Sequence, residues 1–282
     1  MAIGDFHLHS TASDGVKSPT WVMETAAANG VRFLALTDHD TTESYAEAKA
    51  AAGRLGLRLI AGIELSTDYG EADVHLLGFG IDPQSARLQE YLTWLRNSRI
   101  GRAERIVRIL AELGAPIEAR RVFEIAGEAS VGRPHIARAL MERGHVASVQ
   151  EAFDRFLGSG GPADVPREKM LPEQAIDEVH RAGGVVFVAH AIFIGDGYPA
   201  VVGKFAEAGL DGIETYYKHY SPEQVAALRA LGEQLGLAFS GGSDYHGLGN
   251  PDDREIGNIP FEDQRVEEFL AFLDSKGINT AR

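Results

Sequence analysis

Residues 2–9 read Ala2-Ile3-Gly4-Asp5-Phe6-His7-Leu8-His9, an apolar run in which two histidines stand two positions apart. In a strand, residues two apart leave the same face, so His7 and His9 form a chelating pair on one side of a sheet. Six further strand-like runs follow, at 31–37, 57–65, 73–79, 185–189, 212–216 and 237–240, with amphipathic stretches between them. The first of these stretches is well punctuated. Ser18 stands as N-cap, Pro19 takes the first helical position and Gly30 comes just past the end. Repeated strand–helix–strand connections predict a parallel sheet, and seven such units predict an α/β barrel one strand short of the usual eight.

The rhythm breaks once. From 84 to 161 the pattern is helical throughout, with Leu88, Leu92, Leu95, Ile106, Ile109, Leu110 and Leu113 at roughly helical spacings. The expected organisation is therefore a barrel built from 1–83 and 162–282, with a helical subdomain inserted at 84–161. That insertion carries Arg96, Arg99, Arg102, Arg105 and Arg108 at three-residue intervals. Such a series drifts about 60° per step around a helix, so it does not mark one face. One reading is a solvated helix with Glu104 and Glu112 nearby. The other is that one or two of these arginines, Arg99 among them, overhang an active site and hold a phosphate.

The 282 residues are enough for a sizeable core, and 44% hydrophobic with 24% charged residues is ordinary for a globular chain. No apolar run reaches the roughly 18 residues a membrane span needs, and the start MAIGDFHLHS has no signal-peptide pattern. A cytoplasmic protein with no membrane partner is expected. With no cysteine, disulfides, thiolate nucleophiles and zinc-finger sites are excluded. A formal charge of -14 argues against holding long nucleic acid on a basic surface. A local basic pocket for a short phosphorylated ligand remains compatible with that charge.

The chemistry-bearing residues sit in or just beyond the strands. After His7 and His9 comes Asp14, in a polar loop whose Gly15 permits a sharp turn back over the strand end. The second strand ends in Asp38-His39-Asp40 and the third in Glu64. The fourth contains His75, the fifth ends in His190, and the seventh is followed by Ser243-Asp244-Tyr245-His246. Barrel enzymes gather catalytic groups from the C-terminal ends of several strands at one mouth. Six of the ten histidines occupy such positions. Taken singly, each fits a structural or surface role. Jointly, burying so many imidazoles and carboxylates without a cation would leave a dense group of unpaired polar atoms. Mixed nitrogen and oxygen donors without sulfur suit Mn, Fe or Zn. Nine candidates, His7, His9, Asp14, His39, Glu64, His75, His190, Asp244 and His246, exceed what one ion takes, so two to three divalent ions are expected. Paired ions about 4 Å apart stabilise attacking and leaving oxygens in displacement at phosphorus, which makes hydrolysis the expected chemistry. No phosphate-binding GxxxxGK[ST] loop or strand-linked GxGxxG is present to support nucleotide-driven phosphoryl transfer or hydride transfer.

Together DFHLHS (5–10), LTDHD (36–40), GIELS (62–66), VHLLG (74–78), VAH (188–190) and GSDYH (242–246) resemble the polymerase and histidinol phosphatase (PHP) family of metal-dependent phosphoesterases. The resemblance covers nearly the whole chain. Within the insertion, GRPHIARAL (132–140) and EAFDRFLG (151–158) are similar to a subgroup that includes 3′,5′-nucleoside bisphosphate phosphatases, members of which also trim the 5′ ends of short RNAs. The family pattern implies a distorted seven-stranded barrel and a trinuclear site. His7, His9, Glu64 and Asp244 would hold one ion, Asp14, His39 and His246 a second, and Glu64, His75 and His190 a third. It also implies that Arg133 and His135 reach the substrate phosphate.

Two stretches depart from that pattern. Where the family continues with Pro-Gly after the fifth-strand histidine, His190 is followed by Ala191-Ile192-Phe193, which adds bulk near the mouth. After the sixth strand, where relatives place a histidine that reaches the ligand, the sequence reads Tyr216-Tyr217-Lys218-His219-Tyr220, with His219 one position early. Lys218 or His219 then substitutes as a phosphate contact, or the segment is a plain surface loop. The expected reaction is phosphomonoester hydrolysis of a small nucleotide or a short oligonucleotide end, with Arg133 neutralising phosphoryl oxygens and His135 contacting substrate or donating a proton. The alternatives are a phosphatase for another small monoester such as histidinol phosphate, an amidohydrolase, and a noncatalytic metal-bound binding module.

Overall fold

Each of the seven apolar runs forms a strand: β1 (Gly4–Asp5), β2 (Phe33–Leu36), β3 (Arg58–Tyr69), β4 (Ala72–Phe79), β5 (Val185–Val188), β6 (Gly212–Tyr217) and β7 (Ala238–Gly242). The structure, a computed structural model, describes residues 1–70, 72–127, 131–158, 160–166, 170–249 and 255–279. The strands pair in chain order from β1 to β7. The two ends of the sheet then meet. Phe6 donates its N–H to the Gly241 carbonyl (3.1 Å), Asp244 to His7 (2.8 Å) and His9 to Tyr245 (2.9 Å), leaving a nearly closed barrel. Helices α1 (Pro19–Ala28) and α2 (Tyr45–Leu55) follow the first two strands. Then come α3 (Ala86–Glu112), α4 (Ala119–Ala126), α5 (Arg133–Glu142) and α6 (Val149–Ala152), the last running into a π-helical turn, Phe153–Leu157. Finally α7 (Pro172–Arg181), α8 (Tyr198–Glu207), α9 (Pro222–Leu235) and α10 (Asp263–Ser275) complete the chain. The Ser18 hydroxyl caps α1 by accepting the Trp21 N–H at 3.2 Å, with Pro19 in the first turn.

The expectation of an all-parallel sheet does not hold. β4 runs antiparallel to both β3 and β5. Only residues 70 and 71 separate Tyr69 from its partner Ala72, and so short a link can only make a hairpin, because a parallel pair needs a crossover of a dozen or more residues. The reversal matters for the site. It brings the beginning of β4, where His75 pairs with Ser66 on β3, to the rim where the neighbouring strands end.

The chain divides into two compact units, residues 1–89 with 170–282, and residues 90–169. In the first, Phe269 of α10 packs against Phe6, Phe79 and Phe187 with ring centroids 4.6, 5.4 and 5.5 Å away. Each fully buried ring contributes about 1.5–3 kcal/mol. A second cluster under α1 and α2 joins Val22, Met23, Ala48, Ala51 and Leu34. The helical unit has its own core, including Ile106, Leu110, Val122, Ile136, Leu140 and Leu157. Among the described residues no helix is long and apolar enough to cross a membrane.

At the barrel seam β7 approaches β1 so closely that a Cβ on Gly242 would lie 2.2 Å from the His7 Cβ and 2.6 Å from its backbone nitrogen. Gly242→Ala is therefore expected to force the seam apart, at a cost of about 1–3 kcal/mol in urea unfolding, and to lower the metal retained per chain. An unchanged unfolding midpoint with unchanged metal content would show that the seam has slack.

Candidate metal centre

Glu64, fully buried on β3, is the centre of the site. Its Oε2 lies 3.1 Å from His7 Nε2, 3.1 Å from His9 Nε2 and 3.2 Å from His39 Nδ1, while Oε1 lies 2.9 Å from His75 Nδ1 and 3.3 Å from His190 Nε2. Asp244 supplies a second carboxylate, with Oδ1 at 3.4 Å from His7, 3.1 Å from His9 and 3.5 Å from His246. Asp14 supplies a third, at 3.3 Å from His246, 3.6 Å from His9 and 3.8 Å from His39. All nine candidate donors thus lie in one connected cluster. Three donor sets within it, His7/His9/Glu64, His9/Asp14/His39/His246 and His39/Glu64/His75, each have ligand atoms within 4.8 Å of one another.

This donor set fits metal ions better than it fits itself. A carboxylate oxygen has two lone pairs, yet three imidazole nitrogens crowd Oε2 of Glu64. Both ring nitrogens of His9 and Nδ1 of His39 are buried and make no aligned hydrogen bond, although carboxylate oxygens lie 3.1–3.6 Å away. Buried polar atoms left in this way are costly, and a cation is the group that unprotonated imidazoles and carboxylates can share.

The surroundings hold these side chains in place. Glu214 on β6, fully buried, receives His7 Nδ1 at 2.8 Å and the His190 backbone N–H at 2.7 Å. That contact directs Nε2 of His7 at Glu64, the support a metal-ligating histidine takes from a carboxylate behind it. Tyr217 donates its hydroxyl to Asp244 Oδ2 at 2.8 Å, leaving Oδ1 for the imidazoles. Asp38 accepts from the Ser10 N–H, the Ser10 hydroxyl and the Ser13 hydroxyl at 2.7–2.8 Å, and so pins the loop that carries Asp14. Gly15 serves that loop by contact distance: a Cβ there would meet the backbone of His9 and Ser10 at 2.8 Å. Among the described residues, the non-glycine positions with positive φ are Asp40, His190 and Asp244, all at strand ends of this rim. Such backbone costs about 1–3 kcal/mol apiece and persists where surrounding contacts over-determine it.

The field of the cluster is set by burial and mutual attraction. Burial alone would raise the Glu64, Asp14 and Asp244 carboxyls, but the facing imidazoles hold all three below the usual carboxylate range. Burial opposes charge on the imidazoles too, yet Glu214 and Glu64 lift His7 well above its ordinary value. Asp244 and Glu64 lift His9 to about 10, and Glu64 lifts His75 to about 9. His39 goes the other way, down to about 3, because desolvation outweighs its carboxylates. Asp5, buried beneath the seam and accepting from the Ser243 and Gly257 N–H groups, is pushed up by burial to about 6.

Lys218 donates to the Asp244 carbonyl at 2.8 Å and lies 3.4 Å from its carboxylate. His219 is exposed, and the Tyr220 hydroxyl accepts the Ile192 N–H at 3.3 Å. In the helical unit, Arg133 donates to the Leu157 carbonyl at 3.1 Å, and His135 Nδ1 accepts the Gly132 N–H at the start of α5. Arg102 donates to the Val165 carbonyl and faces Asp164, while Arg99 is partly buried and Arg96, Arg105 and Arg108 are exposed. Glu214 was missed from sequence because it lies inside the run 212–216, read as an apolar strand, and Tyr217 because the segment 216–220 was read for Lys218 and His219. The available signal was a charged residue in a fully buried six-residue strand.

A family model described as the PHP domain matches residues 5–159. A 3′,5′-nucleoside bisphosphate phosphatase of Chromobacterium violaceum is 34% identical over 269 residues, spanning 92% of each chain. A 5′-3′ exoribonuclease of Haemophilus influenzae is 35% identical over 245 residues, spanning 86% of this chain and 89% of that one. A solved structure described as an amidohydrolase from Chromobacterium violaceum, with bound sulfate and no metal, superposes with a TM-score of 0.84 at 31% identity, covering 97% of this chain and 96% of that one.

The raised imidazoles give the metal-free protein a defined pH response. Protonated His9 and His75 add stability that is fully present below the ordinary imidazole value of 6.5 and is lost as pH rises through about 9 to 10. The melting temperature of metal-free protein should fall across that window. Loading with a divalent ion at neutral pH should release about three protons, one each from His7, His9 and His75, measurable in weakly buffered solution. Loading without proton release would mean that these imidazoles are neutral beforehand.

Proposed function

The chain belongs to the PHP domain family, and on that footing we propose that this phosphoester hydrolase removes phosphate from a small nucleotide of the 3′,5′-bisphosphate type, or from the 5′ end of a short oligonucleotide. The observation that carries the reading is the cluster of five imidazoles around Glu64, backed by Asp14 and Asp244. What supports the substrate class is similarity along most of the chain to relatives named for these two activities.

In this reading His7, His9, Glu64 and Asp244 hold one divalent ion, Asp14, His39 and His246 a second, and Glu64, His75 and His190 a third, with Mn, Fe or Zn as the metal. Bound there, such ions lower the pKa of water and neutralise phosphoryl oxygens. The chain's own part is to keep the donors fixed before substrate arrives. Glu64 presents both oxygens to imidazoles from four other strand segments, and Glu214 fixes His7. Tyr217 and Lys218 orient Asp244 through its second oxygen and its carbonyl. Fixed groups need no reorganisation as charge develops at phosphorus. Arg133 and His135 keep the phosphate contacts that the motif at 132–140 implies, and His135, as an imidazole, would contact the substrate or donate a proton to the leaving oxygen.

The decisive assay is phosphate release from 3′,5′-adenosine bisphosphate, with bound Mn, Fe and Zn measured on the same preparation. His39→Ala should lower the rate by more than about 100-fold, whereas His145→Ala, whose imidazole meets the Pro116 carbonyl at 2.9 Å, should leave it unchanged. Equal activity in both variants would sink the scheme. Because one solved relative is described as an amidohydrolase, amide substrates belong in the same panel; their cleavage, unaffected by inorganic phosphate, would replace the phosphatase reading.

Glu214→Ala probes the support behind the centre. Losing the carboxylate behind His7 and His190 should weaken metal binding about 10- to 100-fold, read by metal titration. Unchanged affinity would make Glu214 a packing residue only.

A further inference from the structure

Phe193 is the most exposed large apolar side chain among the described residues, at 63%. It stands in the short 3₁₀ turn, Ala191–Ile194, that directly follows His190. Its ring centroid lies 5.6 Å from that of His190, tilted by 34°. Two tyrosines hold it from the side: Tyr217 at 5.6 Å and 86°, and Tyr220 at 6.2 Å and 73°. Both tyrosines are themselves fixed, Tyr217 by its bond to Asp244 and Tyr220 by the Ile192 N–H. The turn is anchored as well, since the His190 N–H is bound by Glu214. Phe193 is thus a rigid ring beside the donor cluster, supported by aromatic partners while most of its surface stays in water.

Leaving an aromatic ring in water forgoes the gain of burying it, so a ring held out by neighbours that are themselves fixed is poised for an apolar, flat partner. The position also departs from the family pattern, which expects Pro-Gly after this histidine where this chain has Ala191-Ile192-Phe193. We propose that Phe193, braced by Tyr217 and Tyr220, is a stacking platform for the base of the nucleotide whose phosphate meets the Glu64 cluster. The inference rests on the nucleotide reading of the site and adds to it a specificity-determining residue. Every base has a π-face, so a platform of this kind selects for a nucleobase over a bare sugar phosphate without choosing among bases.

The test compares equilibrium binding of adenosine 5′-phosphate and ribose 5-phosphate to Mn-loaded protein by titration calorimetry. The two ligands share the phosphate and ribose and differ only in the base. Removing the platform with Phe193→Ala should lower the ratio of the two affinities by about 5- to 100-fold, and Phe193→Trp should restore or raise it. Phe193→Leu, apolar but not aromatic, should behave like the alanine variant. A ratio that is the same in wild type and Phe193→Ala would overturn the platform. If wild type releases no phosphate from the bisphosphate, the proposed function fails on that assay alone, while the binding ratio still decides the role of Phe193.

Discussion

One buried carboxylate facing five imidazoles is the constraint on which this structure turns. Glu64 sits on the longest strand, is shielded from water, and is approached by ring nitrogens from β1, from the end of β2, from β4 and from the end of β5. A single carboxylate cannot accept from all of them, so the cluster is stable only as a shared holder of positive charge, whether protons or metal ions. Around it, His7 leans on Glu214, Asp244 on Tyr217 and Lys218, and the Asp14 loop on Asp38. The three strained non-glycine residues at the rim belong to the same arrangement: left-handed backbone at Asp40, His190 and Asp244 goes with a rim tied down by many contacts.

The barrel serves this cluster through its irregularities as much as its regularities. Closing the sheet requires β1 and β7 to touch at Gly242, where a side chain would strike His7. Reversing β4 gives the site His75. In a parallel strand the fourth of eight residues would lie back from the mouth, and the hairpin between β3 and β4 turns that beginning into a rim position. The rim is also where this chain differs from its family pattern, through the Phe193 turn and the Tyr217–Tyr220 segment. Family members that share a metal-binding set can diverge in substrate through such loops, since loops alter what surrounds the donors without moving the strands that carry them.

Much of the fold was legible because hydrophobic runs and capping residues are local signals. The seven strands lie where apolar runs stand, and Ser18 and Pro19 start α1 through contacts within one helical turn. The histidine pair at 7 and 9 was equally local, since the two-residue period of a strand puts both rings on one face. Strand direction was not, because a run of apolar residues has the same pattern whichever way it points. Lys218 shows a related limit. The sequence left open a phosphate contact or a plain surface loop there; what it did not encode is that the ammonium group donates to the Asp244 carbonyl, a partner 26 positions away.

By itself, then, the sequence determined which residue types the barrel offers at its strand ends: nitrogen and oxygen donors without sulfur, enough of them for more than one ion, on a chain of formal charge -14. Those properties follow from composition and from local periodicity. Tertiary structure alone decided that Glu64 is the shared carboxylate, that Glu214 and Tyr217 stand behind the donors, and that β4 enters the site from its beginning. Each of these depends on distances between strands far apart in the chain, which pairing and barrel closure fix and local sequence does not encode.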